Sequence, residues 1–179
     1  MSGEFVMRIE TIRKQAREHI DEGPITSSYG ADKERVIKVL NEVLATELVC
    51  VLRYMRHYYM AEGIDGDSVK ATFLEYSNEE RNHADQVATR IVQLGGEPDF
   101  NPEVLGKRSH TQYKQGTSLT DMIKEDLVAE RIAVSSYQEI IRWLANGDPT
   151  TRRVMEGLLA EEEEHADDLR SLLAKMPAK

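Results

Sequence analysis

Apolar positions recur at steps of three and four along most of the chain, the period of one face of an α-helix. Val36, Leu40, Val43, Leu44, Val51, Tyr54 and Tyr58 predict a first long helix at about 32–62. Val69, Phe73, Tyr76, Val87, Ile91 and Leu94 predict a second at about 67–94, stopped by Gly95-Gly96. Leu119, Ile123, Leu127, Val134, Tyr137, Ile141 and Leu144 mark a third, about 119–146. Val154, Leu158, Leu169, Leu172 and Met176 mark a fourth, about 149–176, with Asp148 and Pro149 as its N-cap and first residue. A shorter stripe of Val6, Ile9, Ile12, Ala16 and Ile20 predicts a short helix within 5–20, ending near Gly23-Pro24. The links around 62–67 and 146–148 are short, so each successive pair forms an antiparallel hairpin. The connector between the hairpins carries Gly95, Gly96, Pro98, Pro102 and Gly106. It is long enough to span a helix of about 42 Å. The expected fold is all-α, a four-helix bundle of two hairpins joined by a long crossover over 31–179, preceded by an N-terminal arm over 1–30 with a short helix.

Each apolar stripe is interrupted at its middle by a residue able to bind metal. The interruption is Glu47 in the first helix, Glu80 and His83 in the second, Glu130 in the third, and Glu162 and His165 in the fourth. Two helices thus give one carboxylate each and two give Glu-x-x-His. Glu47 and Glu80 lie 33 residues apart, Glu130 and Glu162 lie 32 apart, and the midpoints, 63.5 and 146, fall in the two short links. Each pair therefore meets at one height in its hairpin. An unpaired buried carboxylate costs several kcal/mol, and no Lys or Arg occupies these stripe positions. Two divalent cations would balance four carboxylates, with two neutral imidazoles completing the ligation. Oxygen-rich ligation with some histidine suits Fe or Mn better than structural Zn. In the doublets Glu79-Glu80 and Glu161-Glu162 periodicity leaves open which glutamate faces the metal, because an i, i+4 pair with histidine also shares a helix face. Glu163 and Glu164 are expected to face water.

Charge narrows the partners. The 179 residues carry a formal net charge of −9, which argues against electrostatic binding to DNA or an anionic membrane. Residues 1–22 do not reverse this, because Arg8, Arg13, Lys14 and Arg17 are outnumbered by Glu4, Glu10, Glu18, Asp21 and Glu22. One cysteine, Cys50, provides no disulfide framework. No signal-peptide core and no membrane-length apolar run is present, and a cytoplasmic protein is expected.

The segments "ATELVCVLRY" (45–54), "EERNHAD" (79–85), "DLVAER" (126–131) and "EEEEHADDL" (161–169) together resemble the bacterioferritin branch of the ferritin-like superfamily, including the Dps-like mini-ferritins, over roughly 32–176. The resemblance implies a ferroxidase that binds two Fe(II) per subunit, oxidises them with O2 or H2O2, and stores ferric mineral in a homo-oligomeric cage. It implies bridging roles for Glu80 and Glu162, with Glu47 and His83 on one metal and Glu130 and His165 on the other. Tyr54 matches a family tyrosine near the site, an electron donor or simply a core aromatic. Arg81 stands where the family's haem-binding methionine would be, so haem is not expected. Glu75 and Glu79 fall at inner-surface iron positions or on a solvated helix face. Only 14 residues follow His165, which favours a 12-subunit cage over a 24-mer. The alternatives are a di-iron or di-manganese peroxidase, oxidase or catalase without storage, and a DNA-protecting protein of the Dps type. Trp143, His19, His57 and His110 show no partner pattern and are expected at the surface or an interface.

Overall fold

The computed structural model describes residues 6–62 and 66–176. Helix α1 is Ile9–Glu18, α2 Lys33–Met60, α3 Gly66–Gln93, α4 Leu105–Arg108, α5 Leu119–Leu144 and α6 Pro149–Lys175, with a single 3-10 turn at Ile20–Glu22. No strand occurs among the described residues. The long helices match the expected ones to within two residues at each end. The midpoint at 63.5 lies outside the described residues, as does position 5.

Local chemistry sets the helix ends. The Asp32 side chain accepts from the Arg35 amide, Ser118 from Asp121 and Asp148 from Thr151, each satisfying a first-turn donor. At the end of α3, Gly96 N donates to Ile91 O and Gly95 N to Val92 O, with Gly95 at φ +78°, a Schellman stop that glycine reaches without strain. At Gly96 the backbone passes so close to α2 that a Cβ would stand 2.7 Å from Ile37 Cγ2.

Cross-helix contacts fix the topology. Val51 pairs with Ser77 and Glu47 with His83 between α2 and α3, and Glu47 with Tyr137 and Tyr54 with Glu130 between α2 and α5. Glu79 pairs with His165 and His83 with Glu161 between α3 and α6. In each set a rising residue number meets a falling one, so α3 and α5 both run against α2, and α6 runs against α3. A crossover from one end of the bundle to the other is the only way to connect α3 to α5. It follows α2, tied by Asn41 to Glu97 O and Asp99 N at one end and by His57 to Gln115 O at the other. Those α2 positions are about 24 Å apart.

The interior forms two large apolar clusters with the polar centre between them, and a small third of Ala45, Val49 and Leu105. One is mainly aliphatic and includes Val36, Leu40, Val87, Ile91, Ile140, Met155 and Leu158. The other holds Tyr54, Phe73, Tyr76, Met122, Ile123 and Leu169. α1 buries none of its residues in its own chain.

Candidate metal centre

All six predicted ligands are buried, none more than 3% exposed, because the four helices carry them at mid-length where two hairpins face each other. They converge as two overlapping groups, Glu47, Glu80, His83 and Glu162, and Glu80, Glu130, Glu162 and His165. Within each group one ligand atom from every residue lies within 4.8 Å of the others. Glu80 and Glu162 belong to both, the placement required of bridging carboxylates. The remaining Glu and His of each group come from one hairpin, and the shared carboxylates join the two hairpins.

The histidines show how the glutamate doublets divide their work. His83 turns Nδ1 inward, 3.4 Å from Glu162, 3.5 Å from Glu47 and 3.7 Å from Glu80. Its Nε2 lies 2.9 Å from Glu161. His165 repeats this with Nδ1 at 3.6 Å from Glu162 and 3.7 Å from Glu80, and Nε2 at 2.8 Å from Glu79. The second glutamate of each doublet therefore enters the centre. The first reaches across to the other hairpin's histidine from a half-exposed position, with Glu79 40% and Glu161 47% exposed. A carboxylate accepting from Nε2–H leaves the Nδ1 lone pair for a cation. Glu163 and Glu164 face solvent, as do Glu75 and Arg81.

Two tyrosines hold the terminal carboxylates in a crossed pattern. Tyr54 of α2 donates to Glu130 of α5, and Tyr137 of α5 donates to Glu47 of α2. Tyr137 is not singled out by periodicity, which reads it as a stripe residue. Its signal was spacing, because it follows Glu130 by the same two turns that separate Tyr54 from Glu47.

Electrostatics shows what charge the centre calls for. Burial, reinforced by the charges on Glu162 and Glu80, pushes the carboxyls of Glu47 and Glu130 well above the ordinary range. Burial would raise Glu80 as well, but the close approach of Glu47, His165 and His83 holds it low. Glu162 is lowered against burial and the charge of Glu80 by His165, His83 and Glu130. Burial opposes the imidazolium of His165, yet Glu162 and Glu80 push it up to about 10, and His83 rises likewise through Glu162, Glu47 and Glu80. In this balance protons serve as the counter-charge. Four buried carboxyls beside two imidazoles thus need positive charge, which protons or two divalent cations can supply. Among the described residues, Glu47 Oε2, Glu130 Oε2, both carboxylate oxygens of Glu80 and Glu162, and Nδ1 of both histidines have no hydrogen-bond partner. Buried acceptors left open and aimed at one another fit a pair of cations.

Beyond the ligands lies a second buried polar group. Arg53 and His57 are fully buried, and both bind the buried Asp126. His57 is thus a core residue, contrary to the expectation of a surface or interface role. Its neighbours Asp126 and Gln115 lie so far off in sequence that helical spacing does not reveal them.

The chain matches the family model of the ferritin-like domain over residues 37–178. It is 30% identical to the bacterioferritin of Desulfovibrio desulfuricans, over 74% of this chain and 71% of that protein. It is also 30% identical to the DNA protection during starvation protein of Pyrococcus furiosus, over 83% and 82%. Among solved structures, the dodecameric thioferritin of Bacteroides fragilis, a bacterioferritin-related protein, superposes with a TM-score of 0.78 at 31% identity, covering 81% of this chain and 88% of that one. Two hairpins in the observed order, with a buried glutamate–histidine centre between them, fit that match, and the chain belongs to the ferritin-like family.

Proposed function

We propose that the protein is a ferroxidase that takes Fe(II) as substrate, oxidises it in pairs with O2 or H2O2, and stores the ferric product inside a homo-oligomeric cage. The observation that carries this reading is the pair of overlapping ligand groups sharing Glu80 and Glu162. Sharing sets two ions side by side, so that two electrons leave together for one oxidant molecule. That is one O2 reduced to H2O2, or one H2O2 reduced to two waters, with two protons taken up in either case.

The chain's own groups divide the task. Glu47 with His83, and Glu130 with His165, define the two ends. Glu161 and Glu79 keep the imidazoles in the tautomer that presents Nδ1, and Tyr137 and Tyr54 fix the terminal carboxylates. Burial excludes bulk water, and protons held by the carboxyls and imidazoles leave as Fe(II) enters, which keeps the charge balanced. Tyr54 is the redox-active tyrosine in this reading, supported by its contact with Glu130 and its place in an aromatic cluster with Phe73 and Tyr76. The assembly is read as a 12-subunit cage, supported by the dodecameric Bacteroides fragilis relative. Leu52, Tyr59, Val92 and Val128, each more than half exposed on the long helices, would be covered there. Direct DNA binding is not part of the function, given the net charge of −9.

Anaerobic Fe(II) addition to metal-free protein, followed by oxidant, size analysis and iron counting, tests the proposal. Tens of irons per chain in a particle of about 12 chains are expected. Uptake that stops at two irons per chain would reject storage in favour of a non-storing di-metal enzyme.

A further inference from the structure

We propose that α1 is an assembly helix that pairs antiparallel with α1 of a second copy of this chain. This rests on the homo-oligomer of the proposed function and is independent of the metal centre.

Helix α1, Ile9–Glu18, precedes residue 37, where the match to the ferritin-like domain begins. It is an addition to the bundle. Ile9, Ile12 and Ala16 fall at helical spacing on one face, and none of the ten residues is buried. Ile9 and Ile12 are exposed, as are Val6, Met7 and Ile20 at the two ends of the helix. Ile12 and Ala16 line a cavity of about 230 Å3 with Ile25. An isolated helix of this length is marginal in water, so a lasting α1 needs a surface to pack on. Its own chain covers none of it. The arm is instead rooted beyond the helix, where the Tyr29 hydroxyl donates to Asp148 at 2.8 Å and the Gly30 amide donates to Gly147 O at 3.2 Å.

Charge identifies the occupant. Residues 6–22 carry Arg8, Arg13, Lys14 and Arg17 against Glu10, Glu18, Asp21 and Glu22. Four against four is neutral, whereas a helix that lies on anionic lipid or DNA is basic. The two signs are unevenly placed along the segment. Residues 8–14 hold three of the basic groups and one acid, and residues 17–22 hold one basic group and three acids. Parallel pairing would set like halves together. Antiparallel pairing sets the basic half of each helix against the acidic half of the other, twice over by two-fold symmetry. It also brings Ile12 of each chain level with the small Ala16 of the other. A helix of about 15 Å is too short to supply the about 1,200–2,000 Å2 of a stable interface. The pair therefore forms between chains that the bundles already hold in one assembly, where effective concentration is high.

Thiol cross-linking of the assembled protein tests this. The one native thiol, Cys50, is buried, so the native chain is the blank. With a short bis-maleimide, Ala16→Cys on the apolar face should form a two-chain species at least about tenfold faster than Thr11→Cys on the opposite face. Replacing Glu18, Asp21 and Glu22 with lysine makes both halves basic and should slow that cross-link at least about tenfold at low salt. Adding Arg8→Glu, Arg13→Glu and Lys14→Glu reverses both halves and should restore the rate to within about threefold. Equal rates for Ala16→Cys and Thr11→Cys, or no rescue by the double reversal, would overturn the inference, and a large particle on size analysis would keep the cage reading intact. A chain that stays monomeric would overturn both. If the reversed chains do not assemble, the Ala16→Cys and Thr11→Cys pair decides.

Discussion

The two ends of the bundle share one backbone plan and differ in what fills it. On one side of the centre lie Leu40, Val87, Ile91, Ile140 and Leu158, aliphatic side chains with no polar demand. On the other lie Tyr54, Phe73 and Tyr76, with Arg53, His57 and Asp126 buried among them. His165 stacks on Tyr76 at 4.0 Å, whereas the 82-residue shift that carries His83 onto His165 carries Tyr76 onto Leu158. A structural repeat keeps the ligands paired, since both subsites need the same donors. It leaves the surroundings free to diverge, so one end is aliphatic and the other aromatic around a buried polar cluster.

The largest effect falls on the line between the two ends. Replacing both Glu80 and Glu162 with alanine removes every shared ligand, and Fe(II) oxidation should fall at least about a hundredfold. Stopped-flow absorbance on the assembled protein measures it, and a normal rate would move the centre elsewhere.

A pair of core variants breaks the comparison next. Asp126→Ala leaves the buried Arg53 without its anion and should cost about 3–5 kcal/mol. Leu158→Ala at the aliphatic end should cost about 2–5 kcal/mol through a cavity. Urea unfolding reports both costs.

Smaller effects sharpen the symmetry of the histidines. Glu79→Gln and Glu161→Gln should each weaken metal binding by about 10–100-fold, acting on opposite subsites, His165 and His83 in turn. Unchanged binding in both would show that the half-exposed carboxylates do not orient the rings.

The gentlest probe is pH. His165, raised from 6.5 to about 10 in the fold, gives metal-free protein stability that is full below about pH 6.5 and is lost as pH rises through 10. Glu47 and Glu130, raised from 4.5, act with the same sign from lower pH. The Tm of chelator-treated protein should therefore decline from about pH 6.5 to 10, and bound Co(II) should flatten that decline by replacing the protons. A Tm that rises over this range in chelator would contradict the proton balance of the centre.

Local patterns carried a great deal. Helical periodicity located the four long helices because burial on one face is a property of nearest turns. Mid-stripe carboxylates and histidines marked the centre because a charge inside an apolar stripe needs a counter-charge. The Asp148-Pro149 start of α6 and the Gly95-Gly96 end of α3 were equally legible, since capping is decided within a few residues. The four-residue helix α4 was not, being too short to show a period.

What the sequence determined by itself was a set of six candidate ligands and the topology that brings them to one level, both consequences of helical rise and link length. Tertiary structure alone decided which glutamate of each doublet enters the centre, which imidazole nitrogen faces it, how Tyr54 and Tyr137 cross between hairpins, and that Arg53, Asp126 and His57 form one buried cluster. Those outcomes depend on the azimuth of each helix against a partner 69 to 90 residues away. A helical repeat fixes angles within one helix and says nothing about the rotation of its neighbour.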